Sequence, residues 1–341
     1  MEYVGIDLHK SESQICILNE QGEEIAGCRI RTTRGAFEKL LGKGKKKRVL
    51  VESSTESEWV ARHLEGLGHE VIVADPNYLM MYATRSRRVK TDTRDARALA
   101  DACKLGVYRP AHRVCDEQRH VRTLLDVRDL LVGTRCRAIS QSRAMLRREG
   151  LRVRTGNSES YCTRVSELDL PKQLRSELRP LLSLVMHATD ELARLEKEIE
   201  KATRTDANVA RARTLYGVGL IVSAAVVAAL DGPSRFRRAH QVESYFGLVP
   251  SEFSSGEKQQ RGRITKVGNP RIRRLLVQSA WCIIRSKAAS VAHLREWALG
   301  IAQRRGKRVA AVALARRLAG ILFAMLRDQT TYQAPSNLKA A

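Results

Sequence analysis

Aromatic residues are scarce in this sequence, 5% of 341 residues. That scarcity argues against a stacking platform for single strands, which needs an aromatic face for each base. No uninterrupted run of about 18 apolar residues occurs, so no stretch reads as a bilayer span. No signal peptide is recognisable at the start. The seven cysteines (16, 28, 103, 115, 136, 162 and 282) are odd in number, scattered and without a CxxC pair. They read as reduced thiols of a cytoplasmic protein, and no zinc site is expected. Acidic residues are outnumbered too, with 37 Asp and Glu against 61 Lys and Arg, a net charge of +24. Self-repulsion of that size disfavours a compact chain unless a polyanion offsets it. Nucleic acid is the expected partner, bound mainly through phosphates, and a membrane is not.

What is present is globular. The chain is 43% apolar and 29% charged, and its length suits two or three domains. The stretch Tyr3-Val4-Gly5-Ile6-Asp7-Leu8 alternates, so one strand face is oily and the other carries an acid. Residues 13–19 and 24–31 read as two more strands of an antiparallel meander, with a turn between them. Residues 33–41 read as a short helix, and 43–48 as a basic loop. Residues 48–54 form a strand ending in Glu52, 57–66 a helix capped by Ser54, Thr55 or Ser57, and 70–74 a fifth strand. The order β-β-β-α-β-α-β, with acids in the first and fourth strands, is that of a ribonuclease-H-like sheet. Those two strands are neighbours in that topology, which would set Asp7 beside Glu52.

Asp92 and Asp95 lie three apart ahead of an Ala-rich helical stretch at 96–104, among several basic residues. On a helix they share one face. Such a pair is either an N-terminal capping segment, favoured by the helix dipole, or half of a divalent metal site. Four hard carboxylates suit the two-ion chemistry of phosphodiester transfer, without need of His.

Residues 117–149 read as one long arginine-rich helix. A heptad repeat then runs through Leu174, Leu178, Leu181, Val185, Ala188, Leu192, Leu195, Ile199 and Ala202. Pro180 interrupts it, so the continuous helix is expected to begin there, with 151–166 as an irregular connection. The seam predicts an antiparallel coiled-coil arm that pairs two copies; an intrachain hairpin is the alternative. Gly217 and Gly219 sit between helical stretches, as in a helix-hairpin-helix whose backbone amides approach a phosphate. From residue 246 to 274 the chain is polar, glycine-rich and basic. Arg263, Lys266, Asn269, Arg271, Arg273 and Arg274 are its candidate nucleic-acid contacts.

Three stretches carry a family resemblance. They are Gly5-Ile6-Asp7-x-x-Lys10; Lys90-Thr91-Asp92-x-x-Asp95-Ala96; and the run Gly247-Leu248-x-Pro250, Ser255-Gly256, Gly262-x-Ile264-x-Lys266-x-Gly268-Asn269, Ile272-Arg273. In this order, from the first strand to about residue 328, the chain resembles the DEDD-type insertion-sequence transposases of the IS110 family, also described as bridge-RNA-guided recombinases. The resemblance implies an α/β plus all-α chain: a RuvC-like domain over 1–112, a coiled-coil arm over 113–204, a helical transposase domain over 205–330 and a tail over 331–341. It implies that Asp7, Glu52, Asp92 and Asp95 bind Mg²⁺ or Mn²⁺, and that Ser255 is the nucleophile, with Ser254 beside it. It further implies donor and target double-stranded DNA, a guide RNA, a homodimer or homotetramer, and a prokaryotic, nucleoid-associated setting. Two other classes fit the same residues less well. A RuvC-like nuclease or Holliday-junction resolvase would use only the acids and water, and a non-catalytic scaffold would bind nucleic acid without breaking it.

Overall fold

The computed structural model describes residues 1–83, 91–252 and 261–334. The chain divides into two units, Met1–Arg113 and Val114–Ala341.

In the first unit, β1 (Glu2–Leu8), β2 (Glu12–Leu18) and β3 (Glu24–Arg31) form the expected antiparallel meander. Thr33 caps α1 (Arg34–Leu41), accepting a hydrogen bond from the Ala36 amide. β4 (Lys47–Glu52) returns parallel to β1, α2 (Ser57–Gly66) crosses over, and β5 (Glu70–Ala74) pairs parallel to β4. The sheet is mixed and five-stranded, in the order β3-β2-β1-β4-β5. None of the proposed serine or threonine caps holds α2. Its N-cap is Glu56 without a side-chain bond, while Ser57 exchanges hydrogen bonds with the Ser54 backbone.

The alternation in β1 separates two cores. Val4, Ile6 and Leu8 pack with Phe37, Leu41, Val60 and Leu64 of α1 and α2. The opposite face meets α3 (Asp92–Leu105), where Ala96 and Ala100 pack on Cys16 and Leu18, and Leu99 and Cys103 on Leu50. Gly5 belongs to that face. A Cβ there would lie 2.2 Å from the Ala96 carbonyl oxygen and 2.3 Å from the Ala100 nitrogen. The absent side chain and the alanine face of α3 together let backbone approach backbone. All seven cysteines are free. Burial pushes the Cys16 and Cys103 thiols up to about 12, so both stay protonated.

The second unit is helical. α4 (Asp116–Arg148) and α6 (Lys172–Thr203) pack side by side, joined through 149–171. They run antiparallel, as Arg128 bonding Glu196 and Arg135 bonding Thr189 require. The connection is not wholly irregular. It contains α5 (Tyr161–Ser166), held because Tyr161 is fully buried and bonds Ser142 at 2.9 Å. The expected start at Pro180 is also corrected, since α6 begins at Lys172 and passes through the proline. Leu174 and Leu178, buried with Tyr161, Val165 and Leu170, offset the lost backbone bond. The heptad seam expected to join two copies is filled by α4 of the same chain.

α7 (Ala207–Arg213) and α8 (Leu220–Leu230) flank the glycine turn, and α9 (Ala239–Tyr245) follows. β6 (Pro250–Glu252) pairs antiparallel with β7 (Arg261–Ile264). α10 (Pro270–Arg285), α11 (Ala292–Arg305) and α12 (Lys307–Arg327) complete the unit. The arm has no separate core at this end. Val121 and Leu125 of α4 and Ile199 of α6 pack with Leu314, Leu318 and Leu322 in one cluster. Arg122 donates to the Ala228 and Ala229 carbonyls, which α8 leaves open at its C-terminus. An expected boundary at 204/205 therefore does not divide two cores. α12 is long and apolar enough by composition to cross a membrane. It is a core helix here, with Leu314, Leu318, Leu322 and Phe323 fully buried and Arg316 paired to Glu243 at 2.6 Å.

Candidate active site

Four acids come together on the α3 face of the sheet. β1 and β4 pair up to Ile6 with Val51, so the next residue on each strand is an acid, Asp7 and Glu52. On the other side of β1, Asp7 faces Gln14 of β2, which in turn faces Arg29 of β3. These residues make a polar row across the sheet where the hydrophobic alternation stops. α3 delivers the remaining pair. Thr91 caps it, accepting from the Arg94 amide and giving its carbonyl to the Asp95 amide, so Asp92 and Asp95 occupy the first turn. The positive end of the helix dipole favours acids there. Asp95 is buried, whereas Asp92 is 42% exposed at the mouth.

The electrostatics agree with this convergence. The Asp7 carboxyl is held above its ordinary range, first by burial and then by the neighbouring charges of Asp95, Asp92 and Glu52. Only His9 acts on Asp7 in the opposite sense among its named neighbours. The His9 Nε2 lies 3.4 Å from an Asp7 oxygen and 3.7 Å from an Asp92 oxygen. One ligand atom from each of Asp7, His9 and Asp92 lies within 4.8 Å of the others. Arg29 bonds Asp92 at 3.0 Å. Tyr82 ends a 3₁₀ turn, Leu79–Tyr82, and donates its hydroxyl to Glu52. Burial, then the Glu52 bond, raises the Tyr82 pKa, which keeps the phenol a donor. Carboxylate oxygens with one imidazole are the donor set of a hard divalent cation, and no thiol is among them.

His9, Arg29 and Tyr82 are members of this site that the sequence reading missed. His9 stands two residues after Asp7, on the emerging strand end, and that spacing was available to be read. Arg29 and Tyr82 carry no local signal, because only strand pairing and a turn bring them to the acids.

The other candidates lie in the second unit. Gly217 has φ +86 and Gly219 is the N-cap of α8, giving the predicted helix–turn–helix path. Gly247 and Gly268 have φ +67 and +93, and added Cβ atoms would lie 2.0 Å from the Val267 oxygen and 2.1 Å from the Tyr245 oxygen. These glycines let two loops cross at the base of the β6–β7 ribbon. Asn269 caps α10, accepting from the Arg271 amide at 2.9 Å. Three of the phosphate candidates, Arg271, Arg273 and Arg274, have protein partners. Arg271 is nearly buried against Asp126 and Asp129 of α4, since a guanidinium removed from water needs acids beside it. Arg273 donates to the Phe246 and Gly268 carbonyls and so holds the loop crossing. Arg274 shares Asp129 and is half exposed. Arg263 and Lys266 are exposed on the ribbon and the loop after it. Ser254, Ser255 and Lys90 lie outside the described residues.

Comparison with known proteins agrees with this layout. A family model for DEDD transposases of the IS110 type matches residues 4–149, which contain all four acids. A second, the transposase IS116/IS110/IS902 family, matches residues 209–295, which span the glycine turn and the basic loop. The chain is 27% identical over 338 residues to the transposase of insertion sequence IS1111A from Coxiella burnetii, covering 98% of this chain and 92% of that protein. It is 29% identical over 336 residues to a probable family 20 transposase of Pseudomonas aeruginosa, covering 97% and 98%. The transposase of IS1328 from Yersinia enterocolitica is 27% identical over 331 residues, covering 96% and 98%. With the two models matching in order along one chain, and relatives over nearly its full length that include transposases of insertion sequences IS1111A and IS1328, the chain belongs to the IS110 family and is a DNA transposase.

Proposed function

We propose that the protein exchanges DNA strands through a transient phosphoserine link made by Ser255. In this reading the first unit is a ribonuclease-H-like, RuvC-type domain, and Asp7, Glu52, Asp92 and Asp95 hold Mg²⁺ or Mn²⁺. The observation that carries it is the crowding of four acids on one sheet face, with Asp7 held partly against ionisation by the other three. Such an arrangement is costly unless a cation offsets it. A bound divalent ion would supply charge neutralisation for the phosphodiester oxygens. Tyr82 orients the Glu52 carboxylate, and Arg29 and His9 hold Asp92 at the mouth.

Ser255 Oγ attacks the phosphorus, the P–O3′ bond breaks, and the departing 3′ oxygen takes a proton. The serine proton goes to an acid–base group of the site, as a hydroxyl must be activated to act near neutral pH. A 3′-hydroxyl from another strand then displaces Ser255, so no bond is lost to water. The turn at Gly217 and Gly219, read as a helix-hairpin-helix, and the exposed Arg263 and Lys266 contact donor and target duplexes. A guide RNA is proposed from the family resemblance and from the net charge of +24. An assembly of two or four copies is supported by exposed apolar residues on α4, Leu130 at 65% and Val127 at 43%.

The test is a strand-exchange assay on protein purified with its co-bound nucleic acid, with denaturing gels that reveal protein–DNA adducts. Wild type forms an adduct that is absent in Ser255→Ala, while Asp95→Asn forms none and still binds DNA. Hydrolysed ends made equally by wild type and Ser255→Ala would instead assign the chain to nucleases that use water.

A further inference from the structure

The far end of the α4–α6 pair carries a cavity of about 640 Å³ that the reaction does not use. α4 stops at Arg148, and Gly150, with φ +75, reverses the chain. The Leu151 amide bonds back to the Leu146 carbonyl at 2.9 Å. This returns Arg152 along the last turn of α4, so that Arg143, Arg147 and Arg152 line one concavity above Leu146, Leu151 and Val153. No acid is among its lining residues. Of the nearby glutamates, Glu167 is engaged with Arg154 and Glu159 with Arg135, while Glu149, the C-cap of α4, is exposed beside Gly150. Arg143 is fixed over the Tyr161 ring at 5.3 Å, and that ring is itself buried and bonded to Ser142. Arg147 and Arg152 are exposed. The negative end of the α4 dipole offsets part of the repulsion among the three guanidiniums.

An arginine rim over an apolar floor fits a ligand with an anion at one side and a flat, weakly polar body at the other. The volume lies in the range of small-ligand sites, roughly 300–1,000 Å³. A nucleotide has this chemistry: guanidinium forks grip phosphate oxygens, and the base or sugar covers aliphatic carbon. We propose that this cavity seats an unpaired nucleotide of a bound strand, its flanking phosphates on Arg147 and Arg152. The proposal rests on the reading of the chain as a nucleic-acid enzyme, but on neither its acids nor Ser255. An unpaired nucleotide could belong to an RNA or to a DNA strand displaced during exchange, and both present the same group.

The experiment uses the full chain in EDTA, so that binding is read without strand breakage. Fluorescence anisotropy is measured with single-stranded RNA, single-stranded DNA and duplex DNA of one sequence, across a salt series. The double variant Arg147→Gln/Arg152→Gln should bind at least one single-stranded probe about tenfold more weakly. Its log–log salt slope on that single-stranded probe should be shallower by about 1.4, roughly 0.7 for each lost phosphate contact. Loss confined to RNA identifies the strand as RNA, and loss confined to single-stranded DNA identifies a displaced strand. The lysine pair Arg147→Lys/Arg152→Lys keeps the charges but not the forks, so it should keep the wild-type salt slope and bind with an affinity between wild type and the glutamine pair. The proposal is overturned if all three probes bind the glutamine pair within twofold of wild type. It is equally overturned if only duplex binding changes, or if the lysine pair flattens the salt slope as much as the glutamine pair does. None of these outcomes bears on adduct formation by Ser255.

Discussion

Asp7 is where strain and function meet at the scale of a single residue. Its folded-state pKa is raised, so the native state holds that proton more tightly than the unfolded chain does. Its contribution is therefore unfavourable above the folded pKa and vanishes below the unfolded one. Stability falls as pH rises through the acid range where Asp7 ionises. Asp7→Asn removes the unfavourable charge. In EDTA near neutral pH the variant should melt at a higher temperature than wild type, while losing strand exchange. Saturating Mg²⁺ should reverse that order, because ligand at a hundredfold excess over its Kd stabilises the native state by about 2.7 kcal/mol. Differential scanning calorimetry with and without the ion checks both halves. A wild type that gains nothing from Mg²⁺ would remove the cation from this site.

Two elements carry consequences of their own. The close approach of β1 and α3 depends on Gly5, which has no room for a methyl group between its backbone and that of α3. Gly5→Ala should push α3 outward, costing about 1–3 kcal/mol as overpacking does. Because Asp92 and Asp95 ride on that helix, the same change should lower strand exchange by roughly 100-fold, the scale on which small misplacements act. Chemical denaturation and the exchange assay together decide it, and normal activity in a destabilised variant would separate helix position from chemistry. In α6 the expectation is opposite. Pro180 lies mid-helix and supplies no amide to the ladder, so Pro180→Ala should stabilise the chain, by at most about 3 kcal/mol. An unchanged or lowered denaturation midpoint would mean that the surrounding packing is fitted to a proline kink.

At the scale of the whole molecule, charge dominates. A net +24 predicts DNA binding that falls steeply with salt. With six to ten phosphates engaged, affinity should drop by about 10³–10⁵ between 50 and 200 mM salt. Isotherms across that range test this, and a flat response would contradict phosphate-dominated binding. The internal pairs temper the number of free cations. Arg271, Arg274, Arg128 and Arg113 are each matched to acids within the protein, so the basic count overstates what is left for phosphate.

Alternation in β1, the Ala-rich stretch at 96–104 and the spacing of Asp92 and Asp95 are local properties, so the strands, the body of that helix and the acid types were legible from residue order alone, whereas its start at Asp92 under a Thr91 cap was not. The heptads were legible as a seam but not as whose seam it was, because a stripe of leucines records only that something covers it. Packing decided that α4 of the same chain does so, and burial of Leu174 and Leu178 carried the helix through Pro180. Tertiary structure alone brought Arg29 and Tyr82 to the acids and turned Arg271 inward. Those contacts join residues 63, 30 and 142 positions apart, a separation at which sequence pattern holds no information and only the fold supplies the neighbour.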